Sequence, residues 1–250
     1  MPRQPANLQI IPRSLSNREF LERYARPGMV GLACGDTLID RMIACAERHV
    51  DVDKAWGRWT HAFIIGERRC DGQLWVIESD LEIHRKHIRL GAQENRISKY
   101  DDEKMYTSLA LLDFGLSPET ATQLLSSGLD LIANRTRYSL RELVGTLIAL
   151  RHPKLLPTGN PLARPESLYC SAFVRCLFLK IGMDLTPGLD IKNTAPENIW
   201  RSPLAPAGWL LAGALPESKI AGAVDGVRRQ IRLTQIKRQR KNLGRGKPTT

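Results

Sequence analysis

Three side chains in this sequence could together carry out acyl chemistry: Cys170 in PESLYCSAFVRCLFLKIG, His61 in WTHAFIIG and Glu78 in QLWVIES. Cys170 stands where an apolar helix begins, with Ser167 as the candidate N-cap. A helix N-terminus carries partial positive charge and unsatisfied N–H groups. It favours thiolate over thiol, and the same N–H groups can receive an oxyanion. Cys176, further along the helix, lies about 240° around it from Cys170 by the 3.6-residue period and reads as core. Taken alone, a buried small hydrophobe explains Cys170 as well as a nucleophile does.

The base and its orienting acid come from a predicted hairpin. The β-rich runs 59–66 and 73–79 flank ERRCDG, whose Asp71-Gly72 is a turn signal. A turn symmetric about residues 69 and 70 predicts Ile65 facing Leu74, Phe63 facing Val76, and His61 facing Glu78. Directly opposed residues have Cβ atoms roughly 4.5–5.5 Å apart, so the imidazole and carboxylate would sit side by side. A carboxylate on one ring nitrogen fixes the tautomer and stabilises the imidazolium. A structural His–Glu pair at a strand edge satisfies the same spacing. Together the three residues match the logic of a cysteine activated by histidine, with a third group holding the ring.

Other candidates carry less. His84 and His87 in EIHRKH could ligate a metal if helical, but no cysteine or carboxylate set completes a site, and a solvated basic face is the better reading. Cys45 and His49 read as one packed and one exposed residue. The tryptophans are scattered. Trp59 flanks the proposed base and, with Tyr169, is a candidate for lining a substrate pocket, core packing being an equal reading. No metal and no cofactor is called for.

The elements that must position these groups follow from periodicity. Residues 1–19 read as a loose lead-in. MVGLACGDTLI reads as a strand entering a turn at Gly35-Asp36, and LIDRMIACAERHV as a helix. Residues 101–152 read as helical: Ser117 and Pro118 open one helix, and Ser139 with Glu142 forms a capping-box pattern at another. Gly182 is the expected C-terminal cap of the Cys170 helix. From Pro216, Ile220, Val224, Val227 and Ile231 form one helical stripe with arginines on other faces.

Charge is segregated along the chain. The net charge is +11, and nine basic residues with no acid lie from Arg228 onward; the remainder holds 28 basic against 26 acidic residues, a net of +2. Residues 228–250 suit an anionic membrane surface or a protein partner, ahead of nucleic acid. Five cysteines without a CxxC fit a reducing compartment. With no apolar signal segment and no run of roughly 20 apolar residues, the expectation is a cytoplasmic chain as synthesised, with signal-free export left open.

In order, CGDTLI, THAFIIG, VIES, YCSAFV and TAPENIWRSP make the chain resemble the permuted papain-like cysteine hydrolases, the circularly permuted branch of the NlpC-type peptidase superfamily. The resemblance runs from about Gly31 to Pro203. It implies an α+β fold with an antiparallel sheet packed against a nucleophile-bearing helix. It also implies Cys170 as nucleophile, His61 as general base and Glu78 as the acid that orients the ring. Thr60 departs from it, since many relatives have serine before the histidine. The expected organisation is a catalytic domain over 20–215, with 101–152 as a helical insertion that shapes the substrate site, and a basic amphipathic segment over 216–250. Relatives act on lipid acyl chains or on peptide amides. The apolar insertion and basic tail incline the expectation toward lipid or acylated substrates. A peptidoglycan amidase or endopeptidase, as in an antibacterial toxin, and a non-catalytic binding module are the alternatives.

Overall fold

A seven-stranded sheet organises the chain. The computed structural model describes residues 8–11, 15–35, 58–84, 87–134, 136, 145, 157, 168–204 and 208–212. Strand β1 spans Leu8–Ile11, β2 Val30–Gly35, β3 His61–Arg68, β4 Leu74–His84, β5 His87–Arg96, β6 Tyr106–Asp113 and β7 Gly208–Ala212. Their order in the sheet is β1-β7-β6-β2-β3-β4-β5. All neighbours are antiparallel except β1 and β7. Among the described residues the helices are α1 (Asn17–Tyr24), α2 (Pro118–Ala133), α3 (Cys170–Lys180) and α4 (Pro196–Trp200), with 3₁₀ turns over Ile97–Asp101 and Ile191–Asn193. The chain is therefore α+β.

Strand alternation divides the core into two layers. Val30, Leu32, Ala62, Ile64, Ile77, Ala110 and Leu112 point to one face, where Leu124 and Leu125 of α2 and Phe173, Val174, Leu177 and Phe178 of α3 cover them. Ala33, Phe63, Ile65, Val76, Leu109 and Leu111 point to the other, under Phe20 and Leu21 of α1 and Ile97 and Tyr100 of the 3₁₀ turn. Each fully buried large aliphatic or aromatic side chain on α3 stabilises the helix–sheet contact by roughly 1.5–3 kcal/mol.

Several expected elements stand where the sequence places them. Ser117 caps α2 by accepting from the Thr120 N–H, with Pro118 in its first turn. Helix α3 ends in a Schellman motif: Gly182 N–H donates to Leu179 O at 3.0 Å, Met183 N–H to Phe178 O at 2.9 Å, and Gly182 has φ +79°. The expected helix at 38–50, the Ser139 helix and the segment from Pro216 lie outside the described residues. Residues Met1–Leu215 form one unit and Pro216–Thr250 a second.

Two expectations need correction. Residues 1–19 are not all a loose lead-in: β1 pairs with β7 at the edge of the sheet, and Ser16 closes a capping box with Glu19 at the start of α1. Residues 101–152 are not all helical, because 106–113 is the strand between β7 and β2. Both faces of SLALL are covered, so its apolar run has no alternation and cannot be told from a helix by period. Residues His84 and His87, weighed as metal ligands only if helical, are cross-strand partners at the β4–β5 connection and are not helical.

Candidate active site

The hairpin that carries the base and acid has a different register from the one expected. Ile65 pairs with Val76, Ile64 with Ile77 and Arg68 with Leu74, with an irregularity between Ile65 and Arg68. The turn centres on Asp71-Gly72, because Gly72 takes φ +74° without steric cost. Continuing the ladder from Ile65↔Val76 puts Phe63 across from Glu78 and His61 across from Asp80. The slip is an even number of residues, so every side chain keeps its face. His61 still meets Glu78, now diagonally: Nε2 lies 2.6 Å from Glu78 Oε2.

Glu78 is fully buried and its acceptor sites are filled. Oε2 accepts from His61 Nε2 and, at 2.6 Å, from the Tyr100 hydroxyl. Oε1 accepts from Asn95 Nδ2 at 2.7 Å and Lys99 Nζ at 2.8 Å. Four donors match the roughly four lone-pair positions of a carboxylate, so the group has no freedom to rotate away from the ring. Burial by itself would raise its pKa. The Lys99 charge and the His61 and Asn95 bonds overcome this and hold the carboxyl well below the usual range. Tyr100 is in turn stacked on Phe63 with ring centroids 4.1 Å apart.

Cys170 is the first residue of α3, after an N-cap at Tyr169 and not at Ser167, and the Tyr169 side chain makes no capping bond to the helix start. The residues on either side of the cysteine explain the Tyr-Cys-Ser triplet. Tyr169 donates its hydroxyl to Thr194 O at 2.6 Å and Ser171 donates to the same carbonyl at 2.7 Å. Arg175 reaches Thr194 Oγ1 at 3.0 Å and grips Asp184 with two nitrogens. Ser79, on the opposite face of β4 from Glu78, donates to Leu168 O. Adjacent residues of VIES therefore serve both halves of the site: Glu78 holds the histidine and Ser79 holds the approach to the nucleophile helix.

The two halves meet. The Cys170 sulfur is among the groups that raise the pKa of the His61 ring. Glu78 holds Nε2, which leaves Nδ1 as the other nitrogen of the ring. Burial opposes charge on this ring, yet its pKa stands well above the ordinary histidine value. The Asp80 carboxylate is the strongest influence upward, followed by Cys170 and the bond to Glu78.

His61, Glu78 and Asp80 also bring one ligand atom each within 4.8 Å of one another. Lys99 Nζ bonds both carboxylates, at 2.8 Å to Glu78 and 2.5 Å to Asp80, and supplies a positive charge at that point. The two proposed pocket residues are placed otherwise. Trp59 is fully buried in the core, 5.2 Å from the Trp200 ring, and Tyr169 is buried with its hydroxyl committed to Thr194. Thr60 has a structural use: its hydroxyl accepts from Gly35 N–H at 2.8 Å and so ties the end of β2 to the start of β3.

Sequence reasoning missed Asp80, Asn95, Lys99 and Tyr100. Asp80 was detectable, since it shares the parity of Glu78 on one strand. The other three lie in QENRISKYD, where no strand or turn was assigned.

No protein-family model matches the chain and no curated protein matches it. One solved structure that aligns is "metalloprotein yiiX from Escherichia coli O157:H7, DUF1105", 13% identical, covering 76% of this chain and 98% of that one, with a TM-score of 0.47. A likeness at this level settles neither fold family nor activity.

Proposed function

We propose that the protein is a cysteine-dependent hydrolase or acyltransferase of permuted papain-like architecture, acting on an ester or amide. One observation carries the reading: His61 is held by Glu78 on one ring nitrogen, and Cys170, the first residue of α3, is among the groups that raise the pKa of that ring. In this reading the Cys170 thiolate attacks the substrate carbonyl carbon and a C–S bond forms. The oxyanion is received at the N-terminus of α3. The His61 imidazolium protonates the leaving oxygen or nitrogen as its bond to the acyl carbon breaks. Neutral His61 then takes a proton from water, or from another acceptor, which attacks the thioester and releases Cys170. Glu78 keeps the ring in one tautomer throughout.

The preferred substrate class is lipid or another acylated molecule, with residues 228–250 docking on an anionic membrane surface or a protein partner. The basic tail supports that preference. Labelled phospholipid vesicles and purified peptidoglycan, each incubated with wild type and Cys170→Ala, form the test. Release of acyl chains by wild type alone supports the reading. Turnover of wall peptides alone moves the substrate to peptidoglycan, and no turnover of either, with an ordinary thiol at Cys170, leaves a binding module.

A further inference from the structure

Beyond the three proposed catalytic side chains, a second carboxylate and an ammonium stand within the same buried cluster. Asp80 is on the same face of β4 as Glu78, and its charge acts on His61 more strongly upward than any other group. Lys99, with its side chain 16% exposed, bonds Glu78 Oε1 and Asp80 Oδ2 together. Its three donors suit a bridge between two acceptors.

We propose that Lys99 is a positioning residue of the Cys170–His61 couple: its ammonium clamps the carboxylate that holds the ring and offsets the second carboxylate that faces it. The inference rests on the proposed thiol chemistry and extends it to the charge that surrounds the couple. The groups that bear on His61 and this clamp are Glu78 and Asp80 from β4, Asn95 from β5, Lys99 and Tyr100 from the 3₁₀ turn, Tyr106 from β6 and Cys170 from α3. Among these, Lys99 is the cation that faces both carboxylates.

The reasoning has a sign. A negative charge near the couple favours imidazolium and disfavours thiolate, so removing the Lys99 charge moves both proton equilibria of the couple to higher pH. Removing the Asp80 charge moves them to lower pH. A residue that only supported the fold would lower reactivity without moving the profile.

The test is the rate of iodoacetamide labelling of the Cys170 peptide against pH, read by mass spectrometry on the full-length protein. Lys99→Met is expected to move the rise in rate to higher pH, about a tenfold lower rate below the midpoint for each pH unit of displacement. Lys99→Arg is expected to stay near wild type, Asp80→Asn to move to lower pH, and Lys99→Met with Asp80→Asn to return toward wild type. Asp80→Asn keeps the test decisive if Lys99→Met fails to fold. A wild-type profile displaced from that of a free thiol, with Lys99→Met unchanged or Asp80→Asn unmoved, overturns the role of Lys99 and leaves the thiol reading intact. The expected displacements without turnover of any ester or amide sink acyl chemistry and leave the clamp standing. An ordinary wild-type thiol profile overturns both.

Discussion

Glu78 Oε2 sits 2.6 Å from His61 Nε2 although the strand ladder does not place the two residues opposite each other. The contact is a diagonal across β3 and β4, a spacing of roughly 7–8 Å between residues that long side chains can bridge. The position directly across from His61 is left to Asp80. Two carboxylates therefore bear on one imidazole, and the balance between them is set by Lys99.

Replacing Glu78 with Gln should remove one of the two carboxylates that favour His61 as a cation and leave Lys99 bonded to Asp80 as its remaining carboxylate. Breaking one side of a buried ion pair costs about 3–5 kcal/mol, measurable as a lower urea midpoint. The pH dependence is informative as well. Glu78 titrates lower in the folded state than in the unfolded chain. Its stabilisation is thus complete above roughly pH 4.3 and is lost as pH falls from there through the folded value. Wild type should lose stability over that interval and Glu78→Gln should lose less; parallel curves for the two proteins would contradict the network.

The helix start should depend on Thr194 O more than on either donor alone. Tyr169→Phe and Ser171→Ala should each cost about 1 kcal/mol, since each leaves the carbonyl one partner. The double variant should cost more than the sum, because it strips a buried acceptor of both side-chain donors. Denaturant unfolding of the four proteins checks this, and strict additivity would argue against a shared acceptor.

Gly31 offers a route to the site from a distance. A Cβ at this position would lie 2.1 Å from Phe63 Cε2, inside any allowed contact. Phe63 stacks on Tyr100, which donates to Glu78. Gly31→Ala should cost about 1–3 kcal/mol or more through overpacking, and should slow Cys170 labelling as Tyr100 is displaced. Thermal unfolding with labelling measures both effects, and an unchanged labelling rate in a destabilised protein would break the proposed link.

Arg175 should be needed for the same reason that it is buried. Its side chain is 3% exposed and bonds Asp184 while also reaching Thr194. Arg175→Met should lower the thermal midpoint by several degrees and return Asp184 toward an ordinary carboxylate, since Arg175 now holds it low. The titration of Asp184 followed by NMR checks the second effect; a shift that persists in the variant would assign the low value to another group.

Much of the site was legible before any coordinates because its local signals are chemical. Cysteine at a helix start, flanked by two hydroxyl donors, and histidine and glutamate on strands joined by Asp-Gly, depend on residue type and short spacing. Face parity follows from a strand period of two, and it survived an error in register. The α2 cap and the Gly182 stop of α3 were equally local. What only the tertiary structure decided depends on groups far apart in the chain. No period distinguishes the doubly covered β6 from a helix. The pairing of β1 with β7 joins opposite ends of the described chain. Residues 95–100 acquire their meaning only when β5 lies against β4. The four donors on Glu78 and the placing of Cys170 at the start of α3 come from strand order and helix placement, and these are set by burying two apolar layers at once.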